Sequence, residues 1–535
     1  MTHLRRLFTS CLRSIHHSWC LVAAMVGFLV GCFWSALSGQ YIYLGTSVLI
    51  AALSAIILSL LVPTRLSAIF ALALGFMLAE CRLAPDLIAH EQWRALVGQT
   101  LTISGTLTED PSLTSGQIAL RLGNLQIHPA TDAPDPPPSQ PVENSVDNPV
   151  ENSGEGTSTP TSLPGTLYVT LSGSDGLTTD DLLRSDHLTL TGTLQAGFGT
   201  FAATLYRPTV TGWSRASPGD LAAQFKLWFA GLVQTYISSP ASDLGLSYLL
   251  GYKAGLSDEL SDTLQIVGMT HVVVASGSHL GILVGAARKL FGRLSKFASL
   301  LFSLLLVGAF LVVVGFTPSM LRAACVTVLT LIFGYLGRRI APWRLLLLAA
   351  FITLVLDPLS FLNLGWQLSF ASFAGILVLA PRLQTLFYGG KRPSWLASSL
   401  ITSFATLLLC APLLIYTFGN LSLLSIVANL VILPTLPAIM LLVLLTGVTS
   451  FLPFLATLLG QLAHLLLSFH LWFMDFLSQF SSLLLTLPTA DPRVFLVYLL
   501  ILPLCLPASI WTKLCQFLKS CYNKPHESPF RIRDA

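Results

Sequence analysis

Apolar stretches of 16 to 25 residues recur along this chain, and they decide most of what it can fold into. About 20 such residues in a helix cross the ~30 Å hydrocarbon core of a bilayer. Only 10% of the residues are charged, whereas soluble domains carry about a quarter. The chain therefore reads as an α-helical polytopic membrane protein of about twelve spans. Three come first, near 19–36, 44–62 and 66–80. Nine more lie near 266–286, 297–315, 319–336, 344–357, 364–380, 396–417, 423–447, 455–477 and 493–510. Arg5, Arg6 and Arg13 before the first stretch resemble a signal peptide, but no small-residue cleavage site follows, so the first helix is expected to be retained. With the N-terminus inside, the short cytoplasmic pieces hold 19 of the 29 Lys and Arg, as the positive-inside rule requires. This places both termini, including the basic tail 511–535, in the cytoplasm and the polar region 81–218 outside.

That polar region has its own periodicity. Five short alternating runs (TLTISGTLTE, QIALRLGNLQI, GTLYVTLS, HLTLTGTL and FAATLYRPTVTGW) suit a small β-barrel inserted after the third span. Residues 129–164 repeat PVENS and are rich in Pro, Glu, Asn and Ser, the composition of a disordered loop that cannot build a core. Residues 81–220 carry six Arg, no Lys and fifteen Asp or Glu, which argues against nucleic-acid binding over the whole surface but not against a local basic face. The following segment 219–240 spaces Leu221, Phe225, Trp228, Phe229, Leu232 and Tyr236 along one side of a helix, with Asp220 at its start and Lys226 and Gln234 free to face water. It is expected either to lie on the outer membrane surface or to pack on the barrel.

The nine cysteines are scattered without a CxxC, and the eleven histidines form no metal-ligand grouping. No cofactor or metal is expected. No G-x-x-x-x-G-K-[ST] occurs, so the chain shows no P-loop motor of its own.

One apolar segment is unusually polar. HVVVASGSHL, 271–280, holds His271, Ser276, Gly277 and His279. In a continuous helix the two histidines would stand about 12 Å apart along the axis and roughly 80° apart around it, too far to share a metal ion. Gly277 permits close helix contact or a break, and freed backbone at membrane depth is tolerated only beside protein or water. A catalytic site, a transport path and plain helix packing all remain open on this segment alone.

The wider context resembles a known family. Residues 255–285, GLSDELSDTLQIVGMTHVVVASGSHLGILVG, are similar to the hallmark stretch of ComEC-type competence proteins, the inner-membrane channels for DNA uptake. FTPSMLRAA at 316–324, LDPLSFLNLGWQLSFASFAGILVLAP at 356–381 and APLLIYTFGNLSLLSIVANLVILPTLP at 411–437 resemble three further family elements, in the right order. The resemblance implies an OB-like external barrel at 81–218 and a channel domain at 241–510. It also implies single-stranded DNA as cargo, a cytosolic helicase-like motor, and an external DNA receptor with its pilus. Membrane lipids surround the bundle in a bacterial plasma membrane, and a homodimer is left open. Many relatives also carry a metallo-β-lactamase-like domain, but no HxHxDH occurs here, so nuclease activity is not implied.

Topology places several polar residues at similar depth near the outer face: Arg322, Asp357, Gln367, Ser369 and Asn420. Ionisable groups in spans tend to face a bundle interior or a cavity. They are expected to rim a vestibule, with Arg322 offering charge to phosphate and pairing with Asp357; a structural Arg–Asp pair at a helix end is the competing reading. Asn429, Pro434 and Pro437 suggest a second interrupted helix facing the break at Gly277. Two other functions compete. In an intramembrane serine hydrolase, Ser276 and His279 would share a helix face, though no third group to orient the histidine is evident. A small-molecule transporter would be favoured by inverted repeats, and none is clear.

Overall fold

The computed structural model describes residues 17–38, 65–114, 117–128, 161–172, 182–215, 220–252, 256–273, 277–293, 295–338, 340–389, 391–481 and 484–486. The expected spans 44–62 and 493–510 and the basic tail lie outside these residues, as does most of the expected loop 129–164. The described chain forms two units. The first comprises residues up to Ser369 together with Val431–Ser481, and the second is built on Phe370–Leu430.

The first unit opens with helices α1 (His17–Ser38) and α2 (Arg65–Arg94). They cross with almost nothing between them. A Cβ added at Gly27 would lie 1.9 Å from the Leu72 carbonyl oxygen, and one at Gly75 would lie 2.0 Å from that of Ala24. Gly27 and Gly31 are four apart, as are Gly75 and Ala79, so both helices present small residues to the contact. Beyond the expected third span, α2 runs on for fourteen further residues, 81–94. Its end serves the next domain, because Trp93 is fully buried in the barrel core and donates its indole N–H to the Pro164 carbonyl at 2.8 Å.

The barrel follows. Strands β1 (Thr100–Leu107), β2 (Ser112–Thr114), β3 (Gln117–His128), β4 (Thr161–Leu163), β5 (Leu167–Ser172), β6 (His187–Ala196), β7 (Ala203–Tyr206) and β8 (Thr209–Ser214) make one sheet. The order β1-β3-β5-β7-β6 closes on itself through β1–β6, giving a five-stranded ring, parallel only between β5 and β7. Alternating Ile, Leu and Val from these strands fill the interior. Two expectations change here. The run FAATLYRPTVTGW forms two strands, divided where Pro208 lacks a ladder donor and Arg207 takes a positive φ of 48°. Thr161–Leu163, placed inside the loop by composition, pairs with β3 as β4.

Helix α3 (Leu221–Gln234) starts on Asp220, whose carboxylate accepts from the backbone N–H groups of Ala222 at 2.9 Å and Ala223 at 3.2 Å. Such a cap is worth about 1 kcal/mol. The helix buries Ala222, Lys226, Phe229 and Val233, and exposes Leu221, Phe225 and Trp228. Lys226 thus does not face water. It donates to Asp110 at 2.6 Å and lies over the Tyr252 ring, while Arg184 pairs with Asp220. These pairs join the barrel to α3, a role that spacing along the helix does not reveal.

Next come α4 (Ala241–Leu250), α5 (Asp258–Val267), α6 (Thr270–Val273) and α7 (Gly277–Phe291). The expected span 266–286 is therefore not one helix. Ser257 caps α5, and Gly268 ends it in the left-handed conformation at φ 77°; that backbone suits glycine. Helices α8 (Lys296–Val314), α9 (Pro318–Tyr335) and α10 (Pro342–Leu356) follow at nearly the expected positions. Helix α11 (Leu364–Ala374) continues through a π-turn at Gly375–Leu379 into α12 (Ala380–Tyr388).

In the second unit, α13 (Trp395–Phe418) packs on that π-turn, where a Cβ on Gly375 would lie 2.8 Å from Thr406 Cα. Strand β9 (Asn420–Ser422) pairs with β10 (Leu484–Thr486). Helix α14 (Leu424–Val448) carries Pro434 and Pro437 without interruption, contrary to the expected break. The Thr435 hydroxyl, bonded to the carbonyls of Val431 and Ile432, lies beside the two prolines. In the first unit, α15 (Pro453–Ser478) packs against α4, with Leu467 filling the space a Cβ on Gly245 would take. Among the described residues, six helical segments are long and apolar enough to cross a membrane: α8, α9, α11 with α12, α13, α14 and α15.

Candidate functional site

The polar residues expected along a path divide into distinct groups. The tightest lies where α7 and α9 begin, beside the middle of α11. Thr317 caps α9, and Pro318 follows at its first position, where a missing N–H costs nothing. This start fixes Arg322 in the second turn, where its side chain is 97% buried, 3% remaining exposed. A cation near a helix N-terminus opposes the helix dipole, and burial adds desolvation. The sequence spends stability to keep a guanidinium here.

Gly277 brings α7 against that guanidinium. An added Cβ would meet Ala323 Cβ at 3.2 Å and Arg322 Nη2 at 3.6 Å. His279, fully buried, follows in the first turn of α7. From α11, the hydroxyl of Ser369 approaches that of Ser319 in the first turn of α9 at 3.4 Å. Gly277, His279 and Arg322 thus lie in the first two turns of α7 and α9, and Ser369, in the middle of α11, approaches them through Ser319, the member not named as a site residue in the sequence. Ser319 lies within the element FTPSMLRAA, three residues before Arg322, and that motif was the available signal.

Asp357 and Gln367 do something else. Asp357 caps the 3-10 turn Pro358–Leu362, accepting from Leu359 N at 3.1 Å and from the Ser360 hydroxyl at 2.6 Å. The expected Arg322–Asp357 pair is not among the ion pairs of the described residues. Gln367 donates to the Phe361 carbonyl at 2.8 Å, so it braces the same turn. Arg82 reaches over from α2 and donates to the last carbonyls of α10, Val355 at 3.0 Å and Leu356 at 2.9 Å; a guanidinium there favours the negative end of the dipole. Arg82 also pairs with Asp86 at 3.1 Å. Burial raises the Asp86 carboxyl above its ordinary range, against the pull of Arg82, and nearby Asp357 raises it further.

His271 is exposed on the short α6, its Nδ1 lying 3.1 Å from the Gly268 carbonyl oxygen. It differs from His279, which is buried. Ser276 lies outside the described residues. In the second unit, Asn420 sits opposite Thr486 in the β9–β10 ladder, and Asn429 lies on α14 beyond it.

A second buried polar contact was not foreseen. His470 Nε2 on α15 lies 2.7 Å from the Thr435 hydroxyl, and the buried Tyr248 ring stands edge-on to His470 with centroids 6.0 Å apart. A histidine inside an apolar 26-residue helix was the available signal.

Residues 248–511 match the family model described as Competence protein. That stretch, just under half of the chain, is similar to the competence-protein family. ComE operon protein 3 from Bacillus subtilis (strain 168) is 29% identical over 194 residues, 35% of this chain and 23% of that protein. The match thus spans under a quarter of the relative's length. No solved structure matches the chain. The competence-protein match begins within α4 and contains the whole Gly277–His279–Arg322–Ser369 group.

Proposed function

We propose that this chain forms the inner-membrane path by which single-stranded DNA enters a bacterial cell during natural transformation. The observation that carries the proposal is a buried guanidinium, Arg322, held against Gly277 within a competence-family domain. A polyanion cannot enter hydrocarbon, so its path must be lined by polar groups and water. Arg322 would meet the phosphates, with the hydroxyls of Ser319 and Ser369 beside it, while Asp357 and Gln367 hold the outer turn in shape. Asn420, Asn429 and Pro434 belong to the same path in this reading, and His271 to its exposed entrance.

About twelve spans, cytoplasmic termini and an external OB-like barrel complete the topology. Exposed aromatics on the barrel alternate with arginines, as in Tyr206 beside Arg207 and Trp213 beside Arg215, with each cation within 6 Å of its ring centre. Bases can stack on such rings whatever their sequence. A helicase-like cytosolic motor and an external receptor would drive and load the strand, and no catalytic step is assigned to the chain.

Labelled DNA supplied to a deletion strain tests this. Uptake should fail in the deletion and return with the wild-type gene. A Ser276→Ala gene should also restore it, since a channel needs no nucleophile there, whereas a serine hydrolase would be lost. Full uptake in the deletion strain contradicts the proposal.

A further inference from the structure

The joint between barrel and membrane helices holds an open cavity of about 450 Å³, apart from the Gly277–His279–Arg322 group. Its roof is Thr108 and Glu109 at the end of β1, and its wall is Arg184 and Asp220. Its floor is Val312 and Phe316, where α8 ends. Helix α8 is apolar enough to cross a membrane, so the floor stands where hydrocarbon gives way to head groups. Val312 and Phe316 are exposed apolar side chains at that level.

Each charged group of the lining has an ionic partner, although the partner of Glu109, Arg121, lies outside the lining. Arg184 pairs with Asp220 and donates through Nη2 to the Val312 carbonyl at 2.9 Å, while Glu109 pairs with Arg121 at 2.7 Å. Burial would raise the Asp220 carboxyl, yet the Arg184 hydrogen bond and the backbone N–H groups of α3 together hold it below the usual carboxylate range. It is therefore ionised at neutral pH. Gly315, at φ 107°, leaves room for the guanidinium, because a Cβ there would lie 3.3 Å from Arg184 Nη1.

We propose that this cavity holds the head group of a zwitterionic aminophospholipid, its phosphate toward Arg184, its ammonium toward Glu109 and its acyl chains along Val312 and Phe316. The charged groups that line the cavity are two carboxylates, Glu109 and Asp220, and one guanidinium, Arg184. A zwitterion adds no net charge to this lining and brings an ammonium to its carboxylates. A purely anionic head group would bring a negative charge beside two carboxylates, at a cost in binding. The lipid would act as a washer that fixes the height of the barrel above the bilayer. The inference needs only that α8 spans the membrane, so it stands or falls separately from DNA transport.

Native mass spectrometry of the full-length protein in detergent, given equal amounts of phosphatidylethanolamine and phosphatidylglycerol, reads the site directly. One phosphatidylethanolamine should be retained over phosphatidylglycerol by about fivefold, the scale of one charge-assisted contact. Glu109→Gln should remove the preference. Phe316→Ser, at a side chain 60% exposed, should weaken retention of both lipids without disturbing the fold. Phe454→Ser, at a side chain 86% exposed on α15, should change nothing. Equal retention of the two lipids by the wild type, or unaltered retention by Phe316→Ser, overturns the proposal.

Discussion

Arg322→Glu should reduce DNA uptake to the level of the deletion strain, with the protein still present in the membrane fraction. The guanidinium is buried beside Gly277 and Ala323, near the positive end of α9. A carboxylate in its place would suit the helix dipole but would repel every phosphate that passes. Removing a partner from a buried charge contact costs about 3–5 kcal/mol, or roughly a hundredfold to five-thousandfold in the step that depends on it. Arg322→Lys should keep part of the activity, since the charge remains while the planar fork is lost. Uptake and immunoblot of the same membranes check both. Wild-type uptake by Arg322→Glu at wild-type abundance would remove phosphate binding from Arg322.

Gly75→Leu should give the largest structural defect. The position has no room, since a Cβ alone would lie 2.0 Å from the Ala24 carbonyl oxygen. Helices in lipid associate by packing and close backbone approach, so forcing α1 and α2 apart removes the contact that joins them. Overpacking typically costs about 1–3 kcal/mol where neighbours can shift; here the obstacle is backbone, and the cost should exceed that range. The α1–α2 pair also seats Trp93 in the barrel and Arg82 on α10, so the damage should spread. Thermal aggregation in detergent should begin at lower temperature and protein yield should fall. Gly281→Leu, where an added Cβ meets no atom within 4 Å, should be mild by the same readings. Equal behaviour of the two variants would contradict the account of this crossing.

Much of the architecture was legible because the bilayer simplifies the code. The starts and ends of α8, α9, α13, α14 and α15 lie within about two residues of the expected spans, since length and apolarity alone set them. The alternating runs of the barrel were equally clear. Reading failed where one residue type served two masters. Lys226 looked like a solvent-facing charge on an amphipathic helix but is a buried partner of Asp110, since periodicity cannot say which face meets protein and which meets lipid. Pro434 and Pro437 looked like a break, yet α14 passes through them. The polar segment at 271–280 falls partly on α6 and partly on α7, and residues 274–276 between them lie outside the described residues. Arg322 and Gly277 were singled out from separate motifs, and their contact emerged only in three dimensions. The asymmetric roles of Arg322 and Asp357 were likewise unreadable, because similar depth in a membrane does not imply adjacency.

Photo-crosslinking of DNA caught in transit tests the central claim most directly. A photoreactive residue placed at Ser369 on α11, beside Ser319 in the first turn of α9, should capture labelled DNA during uptake. The same residue at Phe454, an exposed position on α15, should capture none. Capture at neither position in cells that take up DNA normally, or equal capture at both, would contradict a path through this group of helices.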